Sequence, residues 1–180
     1  MWLAPASRST TLPVHHAGTA FTVSDPVLRR DGNLRLAGLP VPGYPDDPET
    51  LCTAARVLAE TGGGEPYGPP LLWFSSPPDE RPVSTWDTLV GTAITGMARP
   101  GAIAPGGQRL AVEDYRDLRA FVVAHTGPIR DLARSWSKAA DAAKKQGYRV
   151  RPYWRLALLH RRLADGNLHP VAEVSVFIDR

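Results

Sequence analysis

One thiol, five imidazoles and a few paired carboxylates are the side chains of this 180-residue chain with the clearest capacity for chemistry. Cys52 falls in the first turns of a helix that the sequence starts at Asp47-Pro48-Glu49. A carboxylate cap, a proline in the first turn and an acid near the positive dipole end all favour that start. A thiol so placed is the nucleophile of a cysteine hydrolase when the fold brings a histidine to it. His15, His16, His125, His160 and His169 are available, and their spacing selects none. No glycine precedes Cys52 to form a tight turn, and Asp46, Asp47 and Glu49 oppose a thiolate. The position reads more simply as a small residue on a packing face with Ala55 and Ala59.

Metal and phosphate chemistry find no matching pattern. His15 and His16 are adjacent and point apart on an extended segment. His160, Asp165 and His169 flank a turn without His-x-x-x-His spacing or a neighbouring glutamate base. Gly62-Gly63-Gly64 follows a helix, and Gly96, Gly101, Gly106 and Gly107 sit in a segment with no lysine, so neither is a phosphate loop. Asp46-Asp47, Asp79-Glu80 and Glu113-Asp114 fall at expected helix starts or in a proline-rich loop, where capping and solvation account for them. No metal and no cofactor is expected.

Charge offers the sharper lead. Between Pro128 and Arg162 stand ten of the 21 basic residues and two of the 18 acidic ones. On a helix over Pro128–Gln146, Arg130, Arg134, Lys138, Lys144 and Lys145 share one face. Ile129, Leu132, Ala133, Trp136, Ala139, Ala140 and Ala143 occupy the other. Arg149, Arg151, Arg155, Arg161 and Arg162 extend the cationic run, interleaved with Tyr148, Tyr153 and Trp154. Clustered lysine and arginine release counterions from a polyanion, and exposed aromatics stack on single-stranded bases. The expected function is therefore nucleic-acid binding by an accessory or regulatory protein, through a basic amphipathic helical face at 128–162. Asp131 and Asp141 lie on or beside that face and weaken its field. A solvated or self-neutralised face is the bland alternative. Two further alternatives are a small enzyme with a cleft near Cys52 or the histidines, and an interaction module docking an acidic protein.

The elements that must position these groups follow from patterning. Residues 1–18 read as a loose arm, and Thr19–Val23 as a short strand. Asp31-Gly32 signals a hairpin between Val27–Arg30 and Asn33–Ala37, followed by a loop over Gly38–Asp46. Helices are expected over Pro48–Glu60, Ser84–Ala98, Glu113–Ala124, Pro128–Gln146 and Pro152–Ala164, with His125 capping the third. Gly62–Gly64 and Pro100–Gln108 break the chain, Leu71–Phe74 is a buried strand, and Asp165-Gly166-Asn167 a turn. Val171–Ile178 alternates as a half-buried strand, with Phe177 as the exception. The sum is a single α+β domain over 19–180, strand-rich to 110 and basic and helical from 111, with about five helices and a final strand returning to the sheet. No internal repeat is visible. One cysteine excludes a disulfide framework and fits a reducing compartment. The N-terminus lacks a signal-peptide pattern and no apolar run is long enough to span a bilayer, so the expected location is the cytoplasm.

Overall fold

The computed structural model describes residues 21–78, 82–162 and 168–179. It is built mostly of antiparallel sheet. In chain order the elements are β1 (Thr22–Val23), β2 (Val27–Pro42), α1 (Pro48–Thr61), β3 (Gly64–Phe74), β4 (Asp87–Gly96), β5 (Ala111–Thr126), α2 (Leu132–Lys145), β6 (Arg149–Arg162) and β7 (Leu168–Asp179). Short 3-10 turns at Val83–Thr85 and Ile129–Asp131 precede β4 and α2. Six strands close on themselves in the order β5-β2-β4-β3-β6-β7 and back to β5, and β1 pairs with the end of β5. Every pairing is antiparallel.

Three expected helices are strands instead. Ser84–Ala98 gives a 3-10 turn and β4, Glu113–Ala124 lies in β5, and Pro152–Ala164 overlaps β6. Two α-helices stand where five were expected among the described residues. The cause is burial of both strand faces. The inward side of the ring packs on itself while α1 and α2 cover the outside, so Thr88–Ile94, Ala120–Val123 and Trp154–Ala157 are buried at every position. Such runs lose the period of two and look like buried helix. Pro152 is tolerated in β6 because the register with β7 shifts between Val150 and Trp154. Asp31-Gly32 is likewise no hairpin: β2 runs straight through with register shifts about Gly32, which sits at φ +70°. The expected loop from Gly38 begins only after Pro42.

The two helices hold. Asp47 Oδ1 accepts from the Thr50 amide at 3.0 Å, and the Gly62 amide closes α1 on Leu58 O and Glu60 O. Cys52, Ala55 and Ala59 face the core from α1. Leu132, Trp136, Ala139, Ala140 and Ala143 do so from α2, which Gly147 ends at φ +80°. The strands Leu71–Phe74 and Val171–Ile178 also stand, within β3 and β7. Phe177 points inward with Glu173 and Ser175, so β7 buries both faces.

The architecture repeats. β2-α1-β3-β4 and β5-α2-β6-β7 are two copies of strand-helix-strand-strand. Val27–Pro42 maps onto Ala111–Thr126 and Pro48–Thr61 onto Leu132–Lys145 with one constant shift of 84 residues. The same shift carries the pair Leu36↔Ala93 onto Ala120↔Phe177, and Leu71↔Ala157 onto Trp73↔Arg155. A pseudo-two-fold axis therefore passes through Leu72↔Leu156, where β3 meets β6. The repeat is invisible in sequence because few equivalent positions match, Leu34 and Leu118 or Ala55 and Ala139 among them.

The arm at 1–18 with His15 and His16, the Asp79-Glu80 pair and the turn at Asp165-Gly166-Asn167 lie outside the described residues, as do the side chains of His160, Arg161, Arg162 and His169.

Candidate ligand cavity at the aromatic mouth

Alternate residues of the ring point inward, and at one open end they are aromatic. Trp73 of β3 stacks between Tyr115 of β5 and Phe177 of β7, with ring centroids 3.9 and 4.8 Å away. Tyr153 of β6 lies 5.4 Å from Trp73 and 5.8 Å from Tyr115. Trp73, Tyr115 and Tyr153, with Pro40, Pro42 and Leu89, wall a cavity of about 540 Å³. Asp87 and Glu113 supply its charge, and no lysine, arginine or histidine lines it among the described residues. Its size is that of a site for a small organic molecule.

The polar groups at this mouth have fixed roles. The Tyr115 hydroxyl donates to the Glu113 carboxylate. Burial and that neighbouring carboxylate push the Tyr115 phenol well above its usual range, so it stays a neutral donor. Arg151 stands two residues before Tyr153. Its Nε donates to Asp179 Oδ1 at 2.7 Å, and its Nη1 donates to the Tyr153 hydroxyl.

The opposite end of the barrel is lined by charge around a cavity of about 480 Å³. Arg29 grips Glu173 through Nη1 and Nη2 at 2.9 and 2.8 Å, and holds Asp31 through Nε at 2.5 Å. Arg155, only 7% exposed, donates Nη2 to Asp31 Oδ2 at 2.6 Å and to Ser175 Oγ at 3.1 Å. Burial alone raises a carboxyl pKa, but the hydrogen bond from Arg29 and the charge of Arg155 outweigh it and hold Asp31 below the usual aspartate value. The four charges cancel pairwise.

The cationic residues singled out in the sequence are dispersed. Arg130 lies in the 3-10 turn before α2 and is exposed. Arg134 is exposed and pairs with Asp131 at 3.5 Å, and Lys138 reaches Asp25 at 3.2 Å. Lys144 and Lys145 form the last turn of α2 and are exposed. Arg149, Arg151, Arg155, Arg161 and Arg162 belong to strand β6, not to a second basic helix. Of these, Arg149 is exposed with Asp179 at 4.0 Å, Arg151 is bonded to Asp179, and Arg155 faces the barrel interior. Four surface cations of the cluster thus have acids within 4.0 Å.

The candidate nucleophile is closed off. Cys52 is 4% exposed, and burial pushes its thiol up to about 12, so no thiolate forms near neutrality. His125 lies in β5 rather than at a helix end. Its Nδ1 meets Ser135 Oγ at 2.8 Å and its Nε2 the Gly127 carbonyl at 3.3 Å. Ser135 is fully buried, so this pair joins α2 to β5 and offers no accessible hydroxyl. Among the described residues no group of three or more His, Cys, Asp and Glu side chains could hold a metal ion. Among the described residues no helix is long and apolar enough to cross a membrane.

Sequence reasoning missed Trp73, Tyr115, Tyr153 and Glu113 as a set. Their only local signal is the spacing of two in Glu113-x-Tyr115 and Arg151-x-Tyr153, which puts each pair on one strand face. Assigning Glu113–Ala124 and Pro152–Ala164 to helices erased it.

No family model matches the sequence, and no curated protein matches it. Solved structures do resemble it. EcmrR in its complex with DNA aligns with a TM-score of 0.64 and 12% identity over 89% of this chain and 58% of that one. The isolated C-terminal domain of EcmrR aligns with a TM-score of 0.56 and 12% identity, covering 90% of this chain and 97% of the domain. A hydrolase from Listeria innocua gives 0.53 and 12% identity, covering 84% and 91%. At such identity the likeness is one of fold. This chain spans little more than half of the EcmrR chain in the DNA complex and nearly all of the separate domain.

Proposed function

We propose that this chain is the small-molecule-binding module of a regulatory protein, and that its aromatic mouth takes an organic cation. The observation that carries the reading is the cavity's composition: three aromatic rings and two carboxylates, with no cationic side chain lining it among the described residues. Aromatic faces and carboxylates attract the same partner, a positively charged and weakly hydrated molecule. The likeness of fold to the C-terminal domain of EcmrR, a protein seen bound to DNA, supports the regulatory setting.

Calorimetric titration of the full chain with tetraphenylphosphonium and with neutral triphenylphosphine oxide tests this. The cation is expected to bind at least about tenfold more tightly, and Glu113→Gln to reduce that advantage. Equal binding of both compounds, or of neither, would end the proposal.

A second reading keeps nucleic acid as a partner of the outer surface. Arg130, Arg134, Lys144, Lys145 and Arg149 are exposed around the two ends of α2, and this favours it. Lys138, Arg151, Arg155, Arg161 and Arg162 complete the cationic set, with Lys138 and Arg151 engaged by acids and Arg155 inside the barrel. Anisotropy titration with single- and double-stranded oligonucleotides at two salt concentrations separates this reading from the first. Affinity that does not fall with salt would count against phosphate contacts.

A further inference from the structure

The two tyrosines of the aromatic mouth have opposite hydrogen-bonding neighbours. An ionised carboxylate only accepts, so the Tyr115 hydroxyl spends its proton on Glu113 and keeps its oxygen lone pairs. A guanidinium only donates, so the Tyr153 oxygen accepts from Arg151 and keeps its proton. Among the described residues no acceptor for that proton is seen. Arg151 cannot turn away, because Asp179 holds it through Nε at 2.7 Å and Nη2 at 2.6 Å. Both rings line the cavity, with centroids 5.8 Å apart.

We infer that the cavity selects, among aromatic cations, those bearing a carbonyl or ether oxygen, with Tyr153 as the donor to that oxygen and Arg151 as the residue that commits Tyr153 to donating. The inference rests on the cation-binding reading above and names the ligand class more narrowly. Asp87, Glu113 and the Tyr115 oxygen face the ligand as acceptors and take its cationic or N–H side. Of the two tyrosine hydroxyls in the aromatic wall, that of Tyr153 keeps its proton for an acceptor, whereas that of Tyr115 has given its own to Glu113. A site built to hydrogen-bond a ligand group discriminates against the analogue lacking it, because its own polar group then goes unpaired. Arg151 acts through Tyr153 and is a positioning residue.

Matched ligands test this: 1-methylquinolinium and its 5-, 6- and 7-methoxy derivatives, titrated calorimetrically into the full chain. At least one methoxy isomer is expected to bind about five- to tenfold more tightly than the parent cation. Tyr153→Phe keeps the ring and is expected to abolish that preference while changing the parent's affinity less than about twofold. Arg151→Met leaves Tyr153 in place yet is expected to lose the preference, and Arg151→Lys, which retains a donor, to keep it. Preference surviving in Tyr153→Phe overturns the inference. So does wild-type protein that binds parent and methoxy cations alike, and in that case the cavity reading stands. Failure of every quinolinium to bind overturns the inference, and the cation-binding reading falls with it only where tetraphenylphosphonium also fails to bind.

Discussion

The two ends of the barrel occupy equivalent positions in the repeat and carry opposite chemistry. Where the aromatic mouth has Glu113 and Tyr115, the shift of 84 residues puts Arg29 and Asp31 at the other. Trp73 answers to Ala157 and Leu89 to Glu173. One end therefore meets its charges with charges, two guanidinia against two carboxylates lining a cavity of about 480 Å³. The other leaves its carboxylates facing aromatic rings and an open volume of about 540 Å³. A duplicated scaffold can thus assign stability to one end and binding to the other without altering its backbone plan. An ionic cluster paired charge for charge joins strands β2, β6 and β7, whereas no cationic side chain lines the aromatic cavity among the described residues.

Arg155→Met breaks the comparison at its strongest point. It strands the largely buried Asp31 with one partner, and loss of one member of a buried pair costs about 3 kcal/mol. Urea unfolding should show that loss, and binding at the aromatic mouth measured below the transition should change little. An unchanged midpoint would mean that the ionic end does not hold the barrel.

Acid probes the same end. Asp31 is held below its ordinary value of 3.8, so its contribution is complete above that value and is lost as pH falls through the depressed folded value. Stability measured from pH 6 to pH 2 should therefore fall on the acid side, and Asp31→Asn should flatten that limb while lowering stability at neutrality.

Glu113→Gln is the mirror experiment. Glu113 is exposed, so the unfolding midpoint should move by less than about 1 kcal/mol while affinity for an aromatic cation falls about tenfold. A large stability loss with unchanged binding would reverse the roles assigned to the two ends.

The smallest expected effect lies outside the barrel. Lys144→Ala with Lys145→Ala should leave stability within about 0.5 kcal/mol and ligand binding intact. If α2 meets nucleic acid, the same pair should reduce the slope of log affinity against log salt by about 2.

Local signals located the helices but not the site. Asp47-Pro48-Glu49 starts α1 because a cap, a fixed φ and the helix dipole act within one turn. The apolar stripe through Leu132, Trp136, Ala139, Ala140 and Ala143 likewise marks α2 from its own spacing. The final strand was legible through Ala172, Val174, Val176 and Ile178. β4, β5 and β6 were not, because a strand buried on both faces carries no alternation to read. With them went the inward rows that hold Glu113, Tyr115 and Tyr153. The basic run from Arg149 was real as a count of charges, but its helical geometry was not, so Arg155 faces the barrel interior instead of the helix surface.

The sequence by itself determined the two helices, the Asp47 cap of the first, the glycine break at Gly62–Gly64, and the concentration of positive charge after Pro128. These depend on residues within a turn or two of each other, where propensity and capping act directly. Only the tertiary structure decided that the strands close into a ring, that two unlike halves repeat, and that Trp73, Tyr115 and Tyr153 meet beside Glu113. Those outcomes rest on pairings between residues far apart in sequence, such as Trp73↔Arg155 and Phe121↔Val176. Their free energy exists only once both faces of each strand are covered.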